Sequence, residues 1–299
     1  MRAPPPCSRL PGLGDGVLAR ARPIADPDAR TARAQVLSHY RRKLGRWPDL
    51  DEALRFTELV QRRKLYDHDP RHPQLMDKVA AKALAAEALG REWTIPTLWQ
   101  GRLLGAEMPF ACPAILKARH GCNQNRILRT PPGAAEWAAL RQLTCGWVAE
   151  PYGQAVAEWG YLHTPRGLLA EPLIGNGVTP PVDYKIYVFG GVATHVQVHL
   201  GRGGGNHRWV LHDRSYTPLV DVEDRPPPPR SLGAMLQAAE VLGAGYDFLR
   251  IDFYEVDGQP LFGEYCLYPG SGFDRFAEDW IDLELGRLWH AAGEVPVRD

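Results

Sequence analysis

The chain has 299 residues, 35 acidic and 35 basic side chains, and 44% hydrophobic residues. That length supports a sizeable core in one domain or two closely joined lobes, and zero net charge gives no global reason to expect nucleic acid or an anionic membrane as partner. No apolar run approaches the roughly 18 residues of a membrane span, the opening MRAPPPCSRLPGLGDG lacks the apolar core of a secretion signal, and five cysteines without C-x-x-C spacing fit a reducing, cytoplasmic setting.

Residues 1–30 are rich in Pro, Arg, Ala and Gly and read as a disordered tail. Residues 31–75 read as a helical lead-in. Leu37, Tyr40 and Leu44, then Leu54, Phe56, Leu59 and Val60, recur at near-helical spacing. Trp47-Pro48 interrupts the run, and Asp49 or Asp51 is placed to cap the second helix. Asp77-Lys78 opens a strong helix that ends at Gly90, and Ile95-Pro96-Thr97-Leu98 exits into a short strand.

Ala114 to Lys117 reads as a strand, followed by the loop His120-Gly-Cys-Asn-Gln-Asn125 and a return strand at Arg126–Leu128. A lysine inside a buried strand is costly unless it meets an anion, which makes Lys117 a candidate binding residue. Pro132 to Trp159 reads as one or two helices whose Trp147, Tyr152 and Trp159 serve packing. Gly167 to Ile174 is a strand carrying Glu171 and Leu173. Asp183–Phe189, Gly190-Gly191 and Val192–Leu200 read as strand, turn and strand. Gly201 to Arg214 has four glycines with Arg202, His207, Arg208 and Arg214, and is expected to be a mobile cationic lid. Arg225–Arg230 is a polyproline spacer. Ser231 is expected to cap the next helix, and Phe273–His290 to form a last helix with Trp280, Leu283 and Leu288 as its apolar stripe.

The most informative stretch is FLRIDFYEVDGQPLFGEYCLYPGSG, residues 248–272. Phe248, Arg250, Asp252 and Tyr254 alternate with Leu249, Ile251, Phe253 and Glu255, the period of a strand. Asp257-Gly258 marks a turn, and Pro260–Leu267 a second strand. A two-residue loop would put Asp252 and Glu264 on opposite faces. A three-residue loop, Asp257-Gly258-Gln259, would set them directly across from each other, with Arg250 and Cys266 on the same face. Neighbouring carboxylates repel unless a positive group lies between them, and a hard divalent cation is the natural filler; solvated acids on a surface hairpin would have the same text. The loop Tyr268–Gly272 then offers backbone N–H groups for a phosphate or oxyanion.

Arg250-Ile-Asp252-Phe, the Asp-Gly turn, Gly263-Glu264 and Pro269-Gly-Ser-Gly272 resemble the metal hairpin of the ATP-grasp superfamily, in its TupA-like branch. The resemblance runs from about Tyr40 to about Trp289 and adds the Asp77-Lys78 helix and the Asp183-Tyr184-Lys185 strand. It implies an α+β ATP-grasp fold, two subdomains clasping ATP over residues 76–299, the small lobe at about 110–172 and the C-terminal lobe at 173–299. It also implies a site. Lys78 neighbours phosphate, Lys117 meets the α-phosphate and the adenine edge, and His120 to Asn125 form the phosphate loop. Glu171 and the backbone near Leu173 read adenine, Asp183 orients Lys185 toward the γ-phosphate, Arg250 contacts the transferring group, and Asp252 with Glu264 holds Mg²⁺. Two departures stand out: the phosphate loop has one glycine where several are usual, and Cys266 stands where the superfamily often has Asn. The implied activity is an ATP- and Mg²⁺-dependent carboxylate–amine ligase that passes through an acyl phosphate, with small-molecule or peptide substrates and an association with polysaccharide or peptide modification. A kinase of an alcohol or sugar, and a nucleotide-binding module without turnover, share the same ATP half.

Overall fold

The computed structural model describes residues 29–175, 181–201, 208–223 and 225–293. The expected tail therefore lies outside the described residues, except for its last two positions, which open the first helix. Arg202 and His207 of the expected lid lie outside as well.

Two helices lead in, α1 (Ala29–Leu44) and α2 (Phe56–Tyr66). Gly45, at φ +81°, ends α1. Neither Asp49 nor Asp51 caps α2. Asp49 Oδ1 instead accepts from the backbone N–H of Asp51 and Glu52, closing its own turn, while Glu58 Oε2 reaches back to the N–H groups of Leu54 and Arg55. After the short α3 (His72–Met76), Asp77 caps α4 (Lys78–Leu89) by accepting from Val79 N–H at 3.0 Å.

The smaller sheet contains β1 (Trp99–Gly101), β2 (Ala114–Ala118), β3 (Asn125–Leu128) and β4 (Leu168–Pro172), antiparallel in the order β1-β4-β2-β3. Between β3 and β4 run α5 (Ala134–Ala149) and the single turn α6 (Trp159–Leu162). Trp137 and Leu140 of α5 bury against Leu116, Leu168 and Ala170, giving this lobe its own core. Trp99–Gly101 joins this sheet although it precedes the stretch 110–172 expected for the small lobe.

The larger sheet is β5 (Asp183–Phe189), β6 (Val192–Leu200), β7 (Arg208–Asp213), β8 (Phe248–Val256) and β9 (Gln259–Cys266), antiparallel in the order β7-β6-β5-β8-β9. Arg208–Asp213 was expected in the glycine-rich loop; it pairs with β6 instead, because Trp209, Val210 and Leu211 supply a strand's apolar text. Helix α7 (Leu232–Gly243) lies on one face, close enough that a Cβ on Gly243 would meet Val188 Cγ1 at 2.6 Å. Ser231 precedes α7 without capping it, since its hydroxyl donates to Glu255 Oε2 at 2.6 Å. The other face is covered at one end by α2 and by α8 (Asp279–Gly293): Phe56 packs on Tyr187, Phe248 and Trp289.

The buried stripe of α8 is Ile281, Leu285 and Trp289, not the one expected; Trp280 and Leu283 are 48% and 36% exposed. The helix is turned to bury Asp282, whose two oxygens accept from the Thr57 N–H and hydroxyl at 2.9 and 2.7 Å.

The hairpin reaches the expected pairing by a different route. Val256 pairs with Gln259, so the loop is the two-residue Asp257-Gly258, both at positive φ (53° and 78°) as a type I′ turn requires. Register shifts by one at Gly263, and Asp252 then faces Glu264 and Arg250 faces Cys266. The extra residue is a bulge that only a small side chain tolerates: a Cβ on Gly263 would lie 3.0 Å from the Asp252 carbonyl oxygen.

Candidate active site

Between the two sheets lies a cavity of about 440 Å³, within the range of about 300–1,000 Å³ usual for small-molecule sites. Its walls bring together Lys78, Lys117, Asn125, Glu171, Leu173, Asp183 and Glu264, seven of the residues singled out in the sequence. His120, Lys185, Arg250 and Asp252 do not reach its surface.

On the small-lobe side, β2 and β4 pair so that Lys117 and Glu171 point into the cleft. Lys117 Nζ donates to Glu171 Oε2 at 2.6 Å, and Lys82 Nζ donates to Glu171 Oε1 at 2.8 Å. Burial alone would raise the Glu171 pKa, but the two ammonium groups bring it below the ordinary value, so it is a carboxylate at neutral pH. Sequence reasoning missed Lys82. The signal was present: it stands four residues after Lys78, on the same face of α4. Lys78 Nζ itself donates to the Gly121 carbonyl at 2.6 Å, so it holds the phosphate loop as well as lining the cleft. The same loop is fixed again where Cys122 Sγ and Tyr161 OH share a hydrogen bond of 2.8 Å. Leu173 lines the cleft, and its N–H donates to the Pro113 carbonyl at 3.4 Å.

His120 departs from expectation. Its ring is fully buried, with Nε2 against the Trp147 carbonyl at 2.9 Å and Nδ1 against Gly167 N–H at 3.4 Å. Both nitrogens serve the inside of the lobe, so it braces the loop from behind rather than meeting a nucleotide.

On the large-lobe side, register lines up Lys185, Asp252 and Glu264 across β5, β8 and β9. Arg250 grips Asp252 with a two-bond fork, Nε to Oδ1 at 2.7 Å and Nη2 to Oδ2 at 2.8 Å. Lys185 Nζ donates to the same Oδ2 and pairs with Asp183 Oδ2 at 2.8 Å. The two cations expected at the transferring phosphate are thus paired behind the cleft wall, because a buried charge without a partner is too costly to keep. Burial would raise the Asp252 pKa, but Arg250 and Lys185 outweigh it and hold it at about 2. A depressed carboxylate pKa stabilises the fold above its unfolded value of about 3.9 and loses that contribution as pH falls toward 2. Acid titration of a chemical-denaturation midpoint should therefore show a loss of about 2 kcal/mol between pH 4 and pH 2, absent in Asp252→Asn.

The loop Pro269–Gly272 follows β9 and is less open than expected. Proline has no N–H and Ser271 N–H donates to the Tyr268 carbonyl at 2.8 Å, so the loop's other N–H groups are those of Gly270 and Gly272, and none of its four residues lines the cavity. The loop rests on α2. Gln61 Nε2 donates to the carbonyls of Ser271 and Gly272 at 3.1 and 3.0 Å, and Lys64 Nζ donates to the Ser271 carbonyl and hydroxyl at 2.5 and 2.7 Å. Burial pulls the Lys64 pKa down to about 7, partly opposed by the nearby Glu158 carboxyl, which burial raises. Gly272 sits at φ +66°, and a Cβ there would lie 2.2 Å from Gln61 Nε2 and 2.8 Å from Val60. Gly272→Ala should cost about 2 kcal/mol or more in urea unfolding, from strain and overpacking together.

Glu264, which lines the cavity, fits a hard divalent ion; Asp252 fits one where an oxygen is released by Arg250 or Lys185, which hold both. The two acids share one face, present only oxygen donors, and sit against two cations and Asp183, so three carboxylates meet two positive groups. Two carboxylates with water and phosphate oxygens completing the shell is the pattern Mg²⁺ favours. Cys266, across from Arg250, adds no hard donor. Among the described residues no group of three or more His, Cys, Asp or Glu side chains could hold a metal unaided.

No curated protein matches the sequence. Solved structures that the chain resembles include the ATP-grasp ligase PsnB with its minimal precursor (14% identity, TM-score 0.39, 75% of this chain and 62% of that one). They also include a D-alanine–D-alanine ligase from Bacillus anthracis with ATP (14% identity, TM-score 0.43, 74% and 65%) and an L-amino acid ligase from Bacillus licheniformis (13% identity, TM-score 0.41, 90% and 56%). The chain spans less than two thirds of the length of each. Among the described residues no helix is long and apolar enough to cross a membrane. Residues 170–290, from the cleft-lining end of β4 through the whole larger sheet and most of α8, match the TupA-like ATP-grasp family.

Proposed function

We propose that the protein is an ATP- and Mg²⁺-dependent ligase, working in the cytoplasm, that joins a carboxylate to an amine through an acyl phosphate. The observation that carries this reading is the cleft in which Lys117 and Glu171 of one sheet face Asp183 and Glu264 of the other. Lys117, Glu171 and the Leu173 carbonyl would take the adenosine end, and Lys78 with the loop at 121–125 the phosphates. Asp252 and Glu264 would hold Mg²⁺, which when bound neutralises phosphate charge as a Lewis acid. A carboxylate oxygen attacks the γ-phosphorus, the bond to the β-phosphate oxygen breaks and ADP leaves. The amine nitrogen then attacks the acyl carbon, the carbon–oxygen bond to phosphate breaks, and the amine gives up a proton. Lys185 and Arg250 keep two positive charges behind this position, and Gly270 and Gly272 N–H groups are the donors available to an oxyanion.

The test is Mg²⁺-dependent ADP release against a panel of carboxylates and amines, with mass spectrometry of the products. An amide is expected. A phosphate ester would make the protein a kinase, and nucleotide binding without ADP release across the panel would remove the ligase reading.

A further inference from the structure

Four large apolar side chains stand in water at one corner of the molecule. Trp47 and Leu54 are each 61% exposed, and with Trp280 and Leu283 they surround the place where the connection between α1 and α2 crosses α8. Ion pairs tie this crossing down. Arg46 Nη2 reaches Asp282 at 2.9 Å, and Arg55 grips Asp279 with two bonds, at 3.2 and 2.8 Å. The Glu58 carboxylate accepts from the N–H groups of Asp49, Leu54 and Arg55, which holds the connection as one bend. Leu54 lies on α8 itself: a Cβ on Gly286 would meet its carbonyl oxygen at 2.0 Å. Leu283 stands one turn before Gly286, and Trp280 one turn before Leu283.

Single exposed apolar side chains are ordinary, but a cluster rimmed by charge marks an interface. Here the two most exposed tryptophans of the described residues share one patch. Its rims differ in sign. At the Trp47 end, Arg41, Arg42 and Lys43 close α1, all exposed, with the Arg41 guanidinium over the Trp47 ring at 5.6 Å. At the Leu54 and Trp280 end stand Asp51, Glu52 and Glu278, also exposed. A surface with an apolar middle and opposite charges at its ends is complementary to itself. After a half-turn the basic end of one copy meets the acidic end of the other, and the apolar middles close on each other. An anionic membrane or a nucleic acid would be repelled by the acidic end.

We infer that this corner is the interface of a two-fold homodimer. Trp47 and Trp280 anchor its middle, the kind of residue that dominates interface energy, and the charged rims set the orientation. The helical lead-in supplies about half of the surface. None of these residues lines the cleft between the sheets, so the interface stands or falls independently of the ligase reading.

The test is sedimentation velocity on the full chain at low salt. Wild type should reach the mass of two chains within a concentration range of about 1–100 µM. Trp280→Asp should raise the dimer dissociation constant about 30-fold or more with an unchanged melting temperature, and Leu54→Asp serves as a second variant on the same patch. A rim variant with Arg41→Glu and Arg42→Glu, and another with Asp51→Lys and Glu52→Lys, should each sediment as monomers, because like charges then face each other at both ends. Mixed in equal amounts, the two rim variants should form a dimer of one of each, since both ends then match again. Monomers at every wild-type concentration, dimers that persist in both Trp280→Asp and Leu54→Asp, or rim variants that stay monomeric when mixed would each overturn the interface. Co-sedimentation of monomeric wild type with phosphatidylglycerol vesicles would also overturn it, giving the corner to a membrane surface instead.

Discussion

Glu264→Gln should lower Mg²⁺-dependent ADP release by roughly 10²–10³-fold, while the melting temperature stays within a few degrees of wild type. The two halves of this result follow from where the side chain stands. Its carboxylate is 33% exposed, and its ion pair to Arg250 is long, 4.0 Å. Removing the charge therefore takes little from the fold. It removes one of three carboxylates on the face where the triphosphate would arrive, and one of the two that line the cleft from that face. Nucleotide binding should persist through Lys117 and Glu171, so affinity for an ATP analogue without metal separates a lost metal ligand from a damaged cleft. A variant with wild-type turnover would take Glu264 out of the chemistry.

Asp252→Ala should behave in the opposite way, costing about 3–5 kcal/mol of stability. The carboxylate is enclosed, with Arg250 holding both oxygens and Lys185 the second. Alanine would leave a guanidinium and an ammonium buried side by side, with Asp183 and the more distant Glu264 to offset them. Burial acts against the charge on each, and Asp252 is the largest influence that keeps both pKa values raised. Urea denaturation measures the loss directly. A cost below about 1 kcal/mol would mean that water reaches the pair and that the cluster is not a closed unit.

These two residues face each other in the sequence pattern and in the structure, yet the reasons differ. The pattern reached the pairing through a longer turn; the chain has the short turn and recovers the register at Gly263. A bulge leaves almost no mark in sequence except the glycine itself. Strands β5 and β6 were readable because Gly190-Gly191 separates two runs of strand text. Helix α8 was harder, since a charged residue, Asp282, turns inward to meet Thr57, a contact made across more than 200 residues of chain. The same holds for His120, whose partners lie on α5 and before β4. Local text shows that a side chain is polar; it does not show which neighbour will satisfy it.

The clasp between α2 and the loop after β9 has a consequence for dissection of the protein. Arg63 Nη1 donates to the Phe248 carbonyl at 2.8 Å, Phe56 packs on both Phe248 and Trp289, and Lys64 and Gln61 form the floor under Ser271. The matched segment 170–290 is therefore not expected to fold by itself. Excised by itself it would expose an aromatic socket and shed the floor of its own oxyanion loop, so limited proteolysis of the intact chain should release no stable fragment that lacks the α2 helix.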